Sequence, residues 1–282
     1  MQINLLVNTH RADAVEAARR TVRLLQERSI EIGADIDSAP HLDVPALSPA
    51  KLADADLLIS FGGDGTLIRA ASICSEKGTP ILGVYYGRFG FVTQCLSDEM
   101  GVCLSQFLDG QATIDERMML QTELVRGGDV VATLHSLNET VLQRDVTARM
   151  MTFNVSVDCH SLTSYPADGV LVATPTGSTG YNLSAGGPIV DPRLKAMILT
   201  AIAPHTLTSR PLILSDNSMI KLGVQAEGDA VLSSDGQIRL HLLSGDEVRI
   251  RRSDRITRLL SVDSGDFMIK LSERLLWSRS RS

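Results

Sequence analysis

The sequence LLISFGGDGTLIRA occupies residues 57–70 and has the pattern of a strand, a tight turn and a helix. The apolar run 57–61 is typical of a buried strand, and the apolar residues after Thr66 recur at the three- and four-residue spacing of a helix. The glycines between them can adopt positive φ angles and can approach a ligand closely, because they carry no Cβ. Backbone N–H groups at the start of the helix favour an anion. The stretch therefore predicts a phosphate-handling turn.

Asp64 is the acidic residue inside this turn. Because a carboxylate repels phosphate, we interpret it as a base that holds a hydroxyl, a magnesium ion or both. No lysine follows the glycines, so the motif is not a Walker A loop, and it is not G-x-G-x-x-G either. With 22 arginines and five lysines in the chain, a phosphate clamp would depend on arginine, backbone N–H groups and metal. The competing interpretation is an ordinary turn, where Asp and Gly are common for local reasons.

The composition is that of a globular protein large enough for two domains. The 282 residues are 44% hydrophobic and 21% charged, with a formal net charge of -6. A negative balance disfavours general nucleic-acid binding, which needs a basic surface. The four cysteines lack C-x-x-C spacing and are expected to be small buried residues in a reducing compartment. We find no signal-peptide pattern and no apolar stretch long enough for a bilayer, so we expect no membrane association and a cytoplasmic location.

Strand and helix patterns alternate through the first part of the chain. Strands are predicted at 3–7, 30–36, 57–61 and 80–84, and helices at 11–28, after Thr66 and at 97–108. The prolines at 40, 45 and 49 predict a loop. Such alternation is typical of a parallel sheet with helices on its faces. We place this α/β domain at residues 1–110.

From about residue 111 onward, alternating apolar and polar residues are typical of antiparallel strands. The sequences GGD at 127–129 and DG at 235–236 predict hairpin turns, and residues 130–143 form one strand-like run. Helical periodicity is restricted to two short stretches, 182–185 and 193–200. We therefore expect a β-sandwich-like domain at 111–260, followed by a final segment, about 261–282, that is apolar enough to dock on another part of the protein.

A second block, DGVLVATPTGSTGYNLSAGGPIVD at residues 168–191, combines small hydroxyl side chains with glycines. Such residues can hydrogen-bond a neutral, hydroxyl-rich or amide-bearing ligand and let the chain close around it. Tyr181 could stack on a base, although on its own it is better explained as a core residue. A purely structural loop is the competing interpretation of the block.

Three weaker signals gain meaning only beside these two blocks. Asn138-Glu139 interrupts an apolar run, which predicts either a polar pair facing a cleft or a solvated strand edge. The sequence SSDGQ at 233–237 is first of all a hairpin turn, in which only Gln237 suggests a ligand contact. Arg69 follows the glycine turn and could reach a phosphate, although most helical arginines are merely solvated. The histidines show no metal-ligand spacing.

Taken together, these motifs resemble the NAD kinases, the ATP-dependent enzymes that make NADP from NAD. The resemblance extends from residue 57 to residue 237. Its motifs are GGDGT at 62–66, GRFGF at 87–91, LNE at 137–139, DGVLVATPTGSTGYNLSAGGPIV at 168–190, APHTLTSRPLIL at 203–214 and SDGQ at 234–237. GGDGT alone is shared with diacylglycerol-type lipid kinases and phosphofructokinases, whereas the long block at 168–190 is far more specific.

The resemblance implies a fold, ligands and an assembly. It implies an N-terminal Rossmann-like α/β domain and a C-terminal β-sandwich-like domain, with the end of the chain returning to the first domain. NAD would lie between the domains, ATP would be the phosphoryl donor, and a divalent metal, Mg²⁺, would assist. The family also implies a homodimer or homotetramer, with sites completed across a subunit contact.

The resemblance also assigns roles to individual residues. Asp64 would accept the proton of the 2′-hydroxyl of the adenosine ribose. The turn residues assigned to phosphate are Gly62, Gly63, Gly65 and Thr66. The residues assigned to NAD are Asp64, Gly65, Arg69, Asn138, Glu139, Arg149, Asp168, Thr179, Gly180, Tyr181, Asn182, Leu183, Ser184, Ala203 and Gln237.

The sequence departs from the family pattern at two of these residues and at Pro166. Glu139 stands where the family often has Asp, and Gly180 where it often has Ala. Pro166 replaces a residue that is often basic or polar, which leaves discrimination between NAD and NADH open. Two alternatives to an NAD kinase remain: a kinase of a lipid or sugar that shares GGDGT, and a non-catalytic dinucleotide-binding module.

Overall fold

The computed structural model describes residues 1–86, 90–92, 95–145, 150–225, 230–261, 267–268 and 271–272. The chain divides into two compact units, one of residues 1–116 with 257–282 and one of residues 117–256. Arg149, the first three residues of the GRFGF loop and the apolar residues at 275–277 lie outside the described residues.

The first unit is built on a parallel sheet. Its elements are β1 (Gln2–Val7), α1 (Ala12–Glu27), β2 (Glu31–Asp35), α2 (Ala39–Leu42), β3 (Ala46–Leu47), α3 (Pro49–Leu52), β4 (Leu57–Gly62), α4 (Asp64–Cys74), β5 (Ile81–Tyr85) and α5 (Met100–Leu108). The strand order is β5–β4–β1–β2–β3, with every pair parallel. All six residues of β4 are buried, which explains its continuous apolar sequence. The predicted α/β sheet is confirmed.

The proline-rich segment of this unit is more regular than predicted. It contains β3 between the one-turn helices α2 and α3 rather than a loop. Pro40 and Pro49 lie in the first turns of these helices. A proline fits there because the first N–H groups of a helix have no partner within the helix.

The second unit is built from antiparallel strands. Its elements are β6 (Thr113–Arg126), β7 (Asp129–Ser136), β8 (Glu139–Arg144), β9 (Met151–Val157), β10 (His160–Ala167), β11 (Gly169–Ala173), α6 (Tyr181–Ser184), β12 (Ala196–Ile202), β13 (Leu212–Ser215), β14 (Ile220–Gln225), β15 (Ala230–Ser234), β16 (Ile238–Leu242) and β17 (Glu247–Ser261). The first residues of β6 and the last of β17 belong to the first unit.

Two layers of strands enclose the core of this unit. One layer has the order β13–β12–β11–β8–β15–β16, and the other contains β10–β9–β14–β17, with β6 beside β17 and β7 beside β6. Buried side chains from both layers form one cluster, with Phe153 and Val248 from one layer and Val172 from the other. The predicted β-sandwich is therefore confirmed.

Two predictions of local structure are wrong. Residues 193–200 were expected to be helical, but Ala196–Ile202 forms the buried strand β12, where Ile198 pairs with Ala173 of β11. Because both faces of β12 are covered, its sequence is a continuous apolar run and periodicity alone could not distinguish strand from helix. The predicted strand 130–143 is interrupted at residues 137–138, between β7 and β8.

The end of the chain returns to the first unit, as the resemblance implies. Leu259 of β17 pairs in parallel with Ile81 of β5. Leu260 lies in the core of that unit beside the side chains of its parallel sheet. The first unit is thus completed by residues that are distant in sequence.

The cysteines follow the prediction with one exception. Cys74, Cys95 and Cys103 are buried, and burial raises the pKa of the Cys74 thiol to about 12. Cys159 is exposed in the turn between β9 and β10, where its φ angle is +67°. Within the part of the chain that the structure describes, we find no helix long and apolar enough to cross a membrane.

Candidate functional site

The glycine turn joins β4 to α4, and its glycines provide space rather than unusual dihedral angles. Gly62, Gly63 and Gly65 all lack positive φ values, so that expectation is wrong. A Cβ on Gly62 would lie 2.2 Å from Thr66 Oγ1, whereas a Cβ on Gly63 or Gly65 would meet nothing within 4 Å. The carbonyl of Gly63 accepts hydrogen bonds from the N–H groups of Thr66 and Leu67. The result is an open backbone surface at the start of α4.

The carboxylate of Asp64 lies against the end of the GRFGF loop. Its two oxygens accept hydrogen bonds from the N–H groups of Phe91 (2.8 Å) and Val92 (3.3 Å). A Cβ on Gly90 would lie 1.9 Å from Asp64 Oδ1, so this close approach requires glycine. The loop thus fixes the direction of the Asp64 carboxylate.

Arg69 projects from α4 toward two acids at the end of β2. Its guanidinium lies 3.0 Å from Asp35 and 3.5 Å from Asp37. The carboxylate of Asp35 is nearly buried, while the side chain of Arg69 is 45% exposed. Arg69 is therefore more than a solvated helical arginine, since it is held beside the glycine turn by charge.

A pocket of about 680 Å³ opens beside the glycine turn. It is lined by Val7, Asn8, Thr9, His10, Asp37, His41, Gly63, Gly65, Thr66 and Arg69. The pocket lies at the carboxyl ends of β1 and β4, which are parallel neighbours with Val7 opposite Phe61. Ligands of parallel α/β sheets bind at this edge, and the volume falls within the range of small-molecule sites. Asn8, Thr9 and His10 were not predicted as site residues, although their position directly after a predicted strand was a usable signal, and His41 had no such signal.

In the second unit, Asn138 and Glu139 lie at the junction between the end of β7 and the start of β8. Both side chains are more than 90% buried, so the solvated-edge interpretation is wrong. Asn138 Oδ1 and Glu139 Oε2 have no hydrogen-bond partner among the described residues. Buried polar atoms in native proteins are nearly always paired. These two oxygens are therefore the strongest sign of a ligand contact in this unit.

The environment of Glu139 disfavours its charged form. Burial, and to a lesser degree the negative charge of Asp235, raise the pKa of Glu139 to about 7. The backbone N–H of Tyr181 opposes this shift by hydrogen-bonding the carboxyl group. Near neutral pH, Glu139 can therefore hold a proton and act as a hydrogen-bond donor.

The backbone around Asn138 is held from two sides. The carboxylate of Asp235 accepts hydrogen bonds from the N–H groups of Leu137, Asn138 and Glu139, at 2.7, 2.8 and 3.0 Å. On the other side, Thr174 donates its hydroxyl to the carbonyl of Leu137 (2.6 Å) and its N–H to that of Asn138 (2.8 Å). Neither Asp235 nor Thr174 was among the predicted site residues.

The glycines of the second block allow this backbone to be approached closely. A Cβ on Gly177 would lie 2.1 Å from the carbonyl oxygen of Asn138, and a Cβ on Gly180 would lie 2.9 Å from Glu139 Oε2. Residues Thr176–Thr179 form a 3₁₀ turn that leads into α6. The block is thus folded directly over Asn138 and Glu139. Glycine is required at both contact points, because a Cβ would not fit between the two segments.

Two polar side chains hold the block together internally. Asn182 is fully buried; its amide donates to the carbonyls of Ser178 (3.1 Å) and Pro188 (3.0 Å) and accepts from Thr200 (2.8 Å). The hydroxyl of Ser178 bonds both the N–H and the carbonyl of Val190. These contacts give Asn182 a structural role in addition to the predicted contact with NAD.

The remaining predicted residues are more exposed. The ring of Tyr181 is 40% exposed, so it is not a core residue. Asp168 is half-buried and bound by Arg144 at 2.7 Å. Thr179, Leu183 and Pro166 are also half-buried, whereas Ser184, Ala203 and Gln237 are exposed. Pro166 lies in β10, an outer strand of its layer, where a missing N–H is tolerated.

Among the described residues, no group of three His, Cys, Asp or Glu side chains is arranged to hold a divalent metal. Magnesium in kinases is usually held by one or two carboxylates together with the phosphates of the substrate. Asp64, beside the open start of α4, fits that kind of shared coordination.

Comparison with known proteins identifies both halves of the chain. Residues 3–112 match the ATP-NAD kinase N-terminal domain, and residues 137–262 match the ATP-NAD kinase C-terminal domain. The NAD kinase of Geobacter sp. (strain M21) is 38% identical over 98% of both chains. The NAD kinase of Moorella thermoacetica is 37% identical over 99% of this chain and 91% of its own.

Two solved kinase structures are also similar to this chain. Yeast NADH kinase, crystallised with NADH, superposes with a TM-score of 0.91 at 25% identity, covering 100% of this chain and 89% of its own. An NAD kinase from Archaeoglobus fulgidus, crystallised with ATP, superposes with a TM-score of 0.79 at 24% identity, covering 97% and 98%. The second likeness concerns the fold alone.

Proposed function

The chain belongs to the NAD kinase family, and we propose that it transfers the terminal phosphoryl group of ATP to the 2′-hydroxyl of the adenosine ribose of NAD, giving NADP. Both family domains are matched, and relatives that are 37–38% identical over nearly the whole chain are NAD kinases. The observation that carries the proposal on the structural side is the pair of buried, unpartnered oxygens on Asn138 and Glu139. They are suited to the hydroxyl and amine groups of a nucleoside.

Asp64 is the proposed proton acceptor. In dinucleotide-binding folds an acidic residue commonly holds a ribose hydroxyl, and here the same type of residue would also take its proton. The N–H groups of Phe91 and Val92 hold the carboxylate in one direction, which supports an aligned rather than a mobile base. Alignment matters because the transition state of phosphoryl transfer is loose and depends on positioning more than on basicity.

The pocket beside the glycine turn is the proposed site of the donor phosphates. Support comes from its volume of about 680 Å³, from the open backbone at Gly63 and Gly65, and from the cation of Arg69. N–H groups at the start of a helix favour phosphate oxygens. When bound, Mg²⁺ would offset negative charge on the transferred phosphoryl group.

The assembly and location belong to the same proposal. Resemblance to the family is the support for a homodimer or homotetramer and for a cytoplasmic enzyme, with no nucleic acid or membrane partner. Light scattering behind size-exclusion chromatography measures the subunit number directly. A monomer at working concentration would contradict the proposed assembly.

The decisive experiment is to mix protein, NAD, ATP and magnesium and to assay NADP with an NADP-specific dehydrogenase. Asp64→Asn keeps the shape of the side chain and removes the base, so turnover is expected to fall by about 100-fold or more. Asp54→Asn is the matched control, because Asp54 is an exposed residue paired with Lys77. Turnover of the Asp64 variant within a few-fold of wild type would remove Asp64 from the mechanism, and NAD binding without product would favour the non-catalytic module.

A further inference from the structure

Asp235 lies in the turn between β15 and β16 but binds a different part of the chain. Its φ angle is +51°, in the left-handed region. Its three N–H partners are 96 to 98 residues earlier in the sequence. Its own N–H donates to the carbonyl of Glu139 (3.0 Å), so the contact runs in both directions. An aspartate that merely shaped its own turn would bond to neighbours within two or three residues.

The three N–H groups converge in the way that backbone nests bind anions. Oδ1 accepts from Asn138 and Glu139, and Oδ2 accepts from Leu137. Burial raises the pKa of Asp235, and the hydrogen bonds from the three N–H groups oppose that shift. Because all three partners are donors, the geometry favours an ionised carboxylate over a carboxamide. The interruption between β7 and β8 is therefore built around the charge of Asp235.

This contact determines what Asn138 and Glu139 can present. The N–H of Asn138 is held by Asp235 and its carbonyl by the N–H of Thr174. With both backbone groups of Asn138 fixed, the direction of its Cα–Cβ bond is fixed as well. In this geometry, Asn138 and Glu139 each present a buried oxygen that has no partner among the described residues.

We propose that Asp235 is a positioning residue for dinucleotide binding: it holds the backbone of Leu137, Asn138 and Glu139 in the geometry in which the Asn138 and Glu139 side chains meet NAD. The inference rests on the proposed function, and nothing in the resemblance assigns this role to Asp235. Asp235 acts through Asn138 and Glu139 and does not itself contact the substrate.

The electrostatics of the site support the same role. Among the described residues, Asp235 is the charged group whose field raises the pKa of Glu139, in addition to the larger effect of burial. From the α6 side, Glu139 is faced by Gly180 and by the N–H of Tyr181, and its partner on β11 is Ala173, none of which is charged. Removing the charge of Asp235 therefore lowers the pKa of Glu139 and shifts its loss of a proton to lower pH.

The test is Asp235→Asn in the full-length protein, because the amide turns a donor toward the N–H groups and removes the charge. We expect KM for NAD to rise about tenfold or more while KM for ATP changes little. Loss of the Glu139 proton should weaken NAD binding, so KM for NAD should rise with increasing pH. In Asp235→Asn this rise should begin at lower pH than in the wild type. If Asp235 were merely structural, the variant would change neither the ratio of KM for NAD to KM for ATP nor the dependence of KM for NAD on pH.

Asp158→Asn is the matched control. Asp158 also has a left-handed φ angle, +49°, and its carboxylate accepts hydrogen bonds from the Met219 N–H and the Ser218 hydroxyl, in the hairpin between β9 and β10. It should lower thermal stability without changing KM for NAD. If Asp235→Asn behaves in the same way, the inference is refuted and Asp235 is a turn residue.

A second variant keeps the inference testable if Asp235→Asn does not fold. Thr174→Val removes the hydroxyl that donates to the carbonyl of Leu137 and accepts from the N–H of Gly177, and it preserves shape. It should also raise KM for NAD selectively, and an unchanged KM in this folded variant would overturn the inference. Failure of the wild-type protein to make NADP would instead refute the proposed function, so the two outcomes can be distinguished.

Discussion

The protonation of Glu139 leads to a prediction about stability that is independent of catalysis. The pKa of Glu139 is raised from an ordinary value of 4.5 to about 7 in the folded protein. Because the folded state binds the proton more tightly than the unfolded state, stability falls as the pH rises from about 4.5 to about 7 and then levels off. Glu139→Gln replaces the carboxyl group by a neutral group of the same shape and should abolish this component.

The size of the effect follows from the two pKa values. At 1.36 kcal/mol per pKa unit, the wild type should lose roughly 2–3 kcal/mol relative to Glu139→Gln between pH 5 and pH 8. For a protein of this size that corresponds to a difference of roughly 3–5 °C in the shift of the melting temperature. The difference between the variants cancels the contributions of other titrating groups that they share.

The assay is thermal unfolding followed by circular dichroism at several pH values, without nucleotide. Glu16→Gln is the control, because Glu16 is an exposed residue on α1, and its curve should run parallel to that of the wild type. Parallel curves for Glu139→Gln and the wild type would show that Glu139 is ionised throughout and would refute the reasoning about its burial. The same measurement with saturating NAD should reduce the difference, because the bound substrate supplies partners for the carboxyl group.

Two further predictions concern the pocket and the glycine block. His10→Ala should raise KM for ATP about fivefold, the loss expected for one hydrogen bond, and leave KM for NAD unchanged, whereas equal changes in both would place His10 outside the donor site. Gly177→Ala should destabilise the protein by about 1–3 kcal/mol, because the added Cβ meets the rigid backbone of Asn138. Thermal unfolding beside Gly223→Ala, where a Cβ meets nothing within 4 Å, measures this cost, and an unchanged melting temperature would contradict it.

The candidate site was only partly visible in the sequence. GGDGT and the block at 168–191 were recognisable because glycines and small hydroxyl residues are unusual between apolar strands. The interruption at 137–138 was signalled only by the polar pair Asn138-Glu139 within an apolar run, a pattern that fits a cleft-facing pair and a solvated strand edge alike. The backbone there is held by Asp235 and Thr174, which are distant in sequence, so local periodicity could not show that the pair is buried.

The sequence by itself determined the order of elements in the first unit outside its proline-rich segment, the change to antiparallel strands near residue 111 and the family resemblance. These features depend on local patterning of apolar residues and on short motifs, which a single chain displays directly. Tertiary structure decided that residues 196–202 are a strand, because that segment is buried on both faces and its pattern fits helix and strand alike. It also decided that Glu139 is buried near the charge of Asp235, since desolvation and the approach of distant groups arise only when the chain is folded.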